Sequence, residues 1–143
     1  MMTLYLKNVL SGLLLVVFST SLAIAGTPAP EGTHLYIISP GNGETVSSPF
    51  TVQFGLKGMG VAPAGIDKAN TGHHHLLIDV ADLPALDMPL PSDESHRHFG
   101  GGQTEVTLDL PKGKHSLQLL LGDKNHIPFK PPVISDRITI TVE

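Results

Sequence analysis

The chain has 143 residues, no cysteine, and 13 acidic against 9 basic residues, for a formal charge of −4. The negative balance argues against nucleic acid or an anionic membrane surface as partner. Without thiols there are no disulfides, no thiolate zinc sites and no cysteine-ligated blue copper.

Residues 1–25 have the three parts of a secretory signal: Lys7, an apolar run from Val9 to Phe18, and the A-x-A site Ala23-Ile24-Ala25. The run is too short for a convincing membrane span, and no later segment is long and apolar enough for one. The sequence therefore predicts a periplasmic or secreted protein cut near Ala25. A Gly/Pro-rich leader (26–33) follows, then one domain (34–143).

Along that domain the hydrophobic period is two. Leu35 to Ile38 is a short apolar strand, followed by the turn Pro40-Gly41-Asn42-Gly43. Phe50, Val52, Phe54 and Leu56 alternate with Thr51, Gln53 and Gly55, the mark of a half-buried strand. His74 to Val80 and His115 to Leu121 are more apolar and so more central. Val106, Leu108 and Leu110 alternate with polar residues, as do Ile138, Ile140 and Val142. Pro111 to Lys114 is read as a hairpin turn between two of these strands. No segment carries a helical stripe. About seven short strands without helices predict an all-β, antiparallel, immunoglobulin-like β-sandwich with a Greek-key path.

Two connections, Lys57 to Gly72 and Ala81 to Gly102, are too long to be passive, and both border histidines. Seven of the eight histidines fall between residues 73 and 126. Neutral imidazole's specialised tasks are metal ligation and proton transfer. In an extended strand neighbouring side chains face opposite ways, so His73 and His75 share a face with Asp79. His74 joins the core-facing register of Leu76 and Ile78 and is expected to be structural. His96 and His98 form a second His-x-His pair. His115 follows the turn and either caps the core or reaches into a site. His126 sits in a turn, where a structural role is expected, and His34 is expected to be solvated.

If consecutive strands alternate in direction, His73 to His75 group with His115, and His96 and His98 group with His126. The long connection could instead climb back over the triple histidine, making one site. That arrangement is preferred. The predicted metal ligands are His73, His75, His96, His98 and His115, for Zn²⁺ or Cu²⁺. Asp79, Glu94 and Glu105 are the nearby carboxylates.

The strings Ser48 to Gly65, Gly72-His73-His74-His75-Leu76-Leu77-Ile78-Asp79, His98-Phe99-Gly100-Gly101-Gly102-Gln103-Thr104-Glu105 and Gly122-Asp123…His126-Ile127-Pro128 resemble a family of exported bacterial proteins. That family is catalogued only as a domain of unknown function. The resemblance spans about residues 38 to 142 and implies a secreted or periplasmic single domain, with no activity or ligand attached. The His-Met…His-x-Met pattern of periplasmic copper chaperones is absent, since Leu76 follows His75 and no methionine follows His98.

The functional expectation is histidine-based binding of a divalent transition metal. The alternative is a non-catalytic recognition module for an envelope protein or glycan, with a structural histidine network. A metal-dependent hydrolase, with an open coordination position and Glu105 or Asp79 as general base, ranks last, because the cleft and the base within reach of metal-bound water that it needs are not visible in the sequence.

Overall fold

A computed structural model describes residues 26–143; the signal-like segment 1–25 lies outside the described residues. Among the described residues there is no helix, so no helix is long and apolar enough to cross a membrane. The strands are β1 (His34–Ser39), β2 (Thr45–Val46), β3 (Phe50–Lys57), β4 (Gly60–Val61), β5 (Thr71–Ile78), β6 (His96–His98), β7 (Glu105–Leu108), β8 (Gly113–Gly122) and β9 (Ile138–Val142).

They form two sheets. The smaller has the order β1-β3-β7, antiparallel throughout. The larger has the order β2-β9-β8-β5-β4, with β6 also paired to β5. Its margins are parallel, β2 with β9 and β4 with β5, while its centre is antiparallel. The architecture is an all-β sandwich of one antiparallel and one mixed sheet.

Period-two alternation explains the core. Phe50, Val52 and Phe54 of β3 are buried while Thr51 and Gln53 are exposed, and Ile138, Ile140 and Val142 do the same in β9. These inward residues pack with Leu35, Leu76, Leu108, Leu117, Leu119 and Phe129. Burial of such side chains contributes roughly 1.5–3 kcal/mol each.

Strand β5 differs, because it is buried on both faces. Its inner face (His74, Leu76, Ile78) meets the core, and its outer face (His73, His75, Leu77) lies beneath the long connections. Those connections are tied to one another by backbone bonds: Ala64 N–H to Gly100 O at 2.9 Å, Gly65 N–H to Lys124 O at 3.0 Å, and Leu90 N–H to His126 O at 2.8 Å. Lys124 Nζ also meets Asp67 Oδ2 at 2.6 Å. The outer face is therefore roofed by three connections, where the sequence had suggested two; the third runs from Asp123 to Arg137.

Three further expectations need correction. The Pro111 to Lys114 turn is no hairpin, since β7 pairs with β3 and β8 pairs with β5 and β9. Turn chemistry specifies a reversal, not the sheet that the next strand joins. The central strand spans Thr71–Ile78 instead of His74 to Val80, because Asp79 adopts φ 56° and ends it. Finally, β5 and β8 are antiparallel neighbours with His73 opposite Gly122 and Ile78 opposite Leu117. The start of β5 thus lies beside the end of β8, far from His115.

Candidate metal centre

The triple histidine divides by strand geometry. His74 points inward, fully buried against Phe54 with ring centres 5.1 Å apart, and its Nδ1 donates to the Gln103 carbonyl at 3.3 Å. Burial lowers its pKa to about 4, so it is a neutral core residue at ordinary pH. His73 and His75 point outward into the roofed space, each about 1% exposed.

Two other segments bring histidines to them. The Ala81 to Gly102 connection climbs back and lays β6 antiparallel beside β5, placing His98 directly opposite His75. From the other side, the turn after β8 delivers His126. Asp123 builds that turn: its Oδ1 accepts from Asn125 N at 2.8 Å and Ile127 N at 3.0 Å, and Thr27 Oγ1 donates to its Oδ2 at 2.6 Å. Within it His126 takes φ 66°, the left-handed region that non-glycine residues seldom occupy.

One nitrogen from each of His73, His75, His98 and His126 lies within 4.8 Å of the others. His73 Nε2 is 3.0 Å from His75 Nε2 and 3.1 Å from His126 Nδ1. Nitrogens on a tetrahedral Zn²⁺ stand about 3.3 Å apart. Five of the six ring-centre separations are 4.7–5.0 Å, and His75–His126 is 6.2 Å. A point equidistant from all four ring centres is about 3.2 Å from each, so rings turned to aim a nitrogen at it would place those nitrogens about 2.1 Å away, a Zn–N bond length.

Glycines make the room. A Cβ on Gly122 would lie 2.8 Å from His75 Nε2, and one on Gly100 would lie 2.3 Å from His98 Cε1. His98 Nε2, His73 Nδ1 and His75 Nδ1 are buried without a hydrogen-bond partner. Ligating histidines usually donate their outer N–H to a carbonyl or carboxylate. Here strand pairing fixes the backbones that carry His73, His75 and His98.

Burial is the main influence on protonation, reinforced by neighbouring imidazoles. It pushes His73 down to about 4 and His75 to about 3, and it lowers His98 as well. The buried pair therefore keeps its lone pairs free well below neutral pH.

Of the five histidines marked in the sequence, the structure brings His73, His75 and His98 together and leaves two elsewhere. His96 shares β6 with His98, but its Nδ1 sits 2.9 Å from Asp93 Oδ1. His115 is at the opposite end of β5, with Nδ1 on Asp79 Oδ2 at 2.7 Å and Nε2 on the Pro111 carbonyl at 2.8 Å. Two acceptors and the Asp79 charge raise its pKa. His126, treated as a turn residue, completes the four. Nor do the suggested carboxylates take part: Asp79 is with His115, Glu105 meets Gln53 on the smaller sheet, and Glu94 is exposed. His34 stacks on Tyr36 at 5.2 Å and is exposed.

The chemistry of the site is thus four imidazoles with no carboxylate in the set. No curated protein and no solved structure matches the chain. Residues 52–143 match the family described as Domain of unknown function (DUF4399), a stretch that holds every one of the four histidines. The chain belongs to the DUF4399 family.

Proposed function

We propose that this is an exported protein that binds one divalent transition-metal ion, Zn²⁺ or Cu²⁺, through His73, His75, His98 and His126. The role is sequestration or delivery of the ion, or metal-dependent fixing of the loops that roof β5. The observation that carries this reading is the convergence of four imidazole nitrogens within 4.8 Å. Two of the rings are fully buried and neutral at physiological pH. Imidazole suits both zinc and copper, and a cysteine-free donor set suits an oxidising compartment. Four buried or half-buried imidazoles in mutual contact gain little from packing alone, whereas a shared cation satisfies every converging lone pair.

The test is elemental analysis of the untagged chain from Gly26, dialysed against trace Zn²⁺ and Cu²⁺, beside a His73→Ala/His75→Ala double variant. About one metal per chain, lost in the variant, is the expected result. No metal in either sample would make the histidines structural and refute the proposal.

A further inference from the structure

The four histidines are not equivalently held, and this inference rests on the metal reading above. His73 and His75 lie in the central strand of the larger sheet, and His98 is fixed opposite His75 by strand pairing. His126 is the exception. It sits in no strand but in a short turn shaped by the Asp123 carboxylate, and it has a left-handed backbone; its partial burial it shares with His98.

It is also the ring farthest from a tetrahedral place. From the point equidistant from the ring centres, His75 and His126 subtend about 150°, while the other pairs subtend about 95–103°, against about 109° in a tetrahedron. The wide angle follows from the 6.2 Å separation of those two rings. His75 cannot yield, being 1% exposed and paired on both edges of β5. The departure from tetrahedral geometry therefore belongs to the turn.

We infer that His126 is the exchangeable ligand: the ion is held by His73, His75 and His98, and enters and leaves past His126, whose place a small neutral nitrogen donor can take. Asp123 is a positioning residue that sets how readily this happens. A three-histidine base with a replaceable fourth ligand suits an ion that is handed on.

The experiment loads the chain from Gly26 with Co²⁺ and follows its visible absorption during titration with free imidazole, then measures Zn²⁺ release to excess chelator. His126→Ala should bind one Co²⁺, take up one imidazole and recover a wild-type spectrum. Its zinc release should be at least about tenfold faster than wild type. Asp123→Asn keeps all four imidazoles; it should retain one metal per chain and also release zinc faster. His75→Ala should bind no stoichiometric metal, with or without imidazole. Loss of binding in His126→Ala as complete as in His75→Ala, or release rates unchanged in both His126→Ala and Asp123→Asn, would overturn the inference alone. Failure of the unaltered chain to take up Co²⁺ and Zn²⁺ would overturn it together with the metal reading.

Discussion

Acid should destabilise the metal-free domain at a pH where its carboxylates are still ionised. Burial holds His73 and His74 at about 4 and His75 at about 3. In the unfolded chain each imidazole titrates near ~6.5. The sign follows from proton counts. Between about pH 4 and 6.5 the unfolded chain binds protons that the folded chain does not, so stability falls as pH drops through that window. Above it both states are neutral and the contribution is constant. At pH 5 each of the three sites has withdrawn about 2 kcal/mol, together roughly 6 kcal/mol, comparable with the whole stability of a small domain. His98 is lowered too and acts in the same direction. His115 acts oppositely, because its raised pKa gives a contribution that is full below the unfolded value and lost as pH rises through the folded one.

Urea denaturation of the chain in the presence of chelator, followed by circular dichroism at pH 7.5, 6.5, 5.5 and 5.0, measures this. The free energy of unfolding should fall by about 3–4 kcal/mol per pH unit near pH 5, close to three protons. His74→Leu, which leaves the metal cluster untouched, should flatten the slope by about one proton. A denaturation midpoint independent of pH between 7.5 and 5.0 would refute the reasoning, because it would mean that the buried rings titrate normally.

Gly122→Ala should cost about 1–3 kcal/mol, the range for forcing an extra carbon into a packed region, and should reduce metal uptake by displacing the His75 ring. Thermal melting with and without Zn²⁺ separates the two effects, and an unchanged melt would contradict the 2.8 Å approach. Gly100→Ala should act likewise through His98, whose ring the added Cβ would meet at 2.3 Å. Asp79→Asn should weaken the His115 link by about 0.5–1 kcal/mol, most visibly below pH 6.5, and leave metal stoichiometry unchanged; elemental analysis beside a melt at pH 6 checks both. His96→Ala should also leave stoichiometry unchanged, and a loss of metal there would bring β6's other histidine into the site.

The strands that a reader of the sequence can see are those whose own residues decide their burial. Phe50-Thr51-Val52-Gln53-Phe54 alternates because one face meets the core and the other meets solvent, and β9 is legible for the same reason. Strands β2, β4 and β6 are two or three residues long and exist through their partners, so no local pattern announces them. His73, His75 and His98 were visible through His-x-His spacing. His126 was not, because a histidine beside Asp123 and Asn125 has the look of a turn. The signal that could have found it is pairing. The two most apolar strands are the natural central neighbours, and placing them antiparallel sets Gly122 across from His73, with His126 four residues on. His115 was misplaced by the converse error, the assumption that strands adjacent in sequence are adjacent in space.

The absence of cysteine gives the histidine arrangement a mechanical meaning. His73 and His126 are 53 residues apart, and their rings touch across a roof made of three separate connections. An ion bound there is a cross-link between distant points of the chain. A covalent bridge closing a loop of that length would stabilise the fold by about 4 kcal/mol through the entropy it removes from the unfolded chain. Unlike such a bridge, one made by Zn²⁺ would be indifferent to reductants and would open to chelators or acid. A domain built this way would have its durability governed by the metal supply of its surroundings.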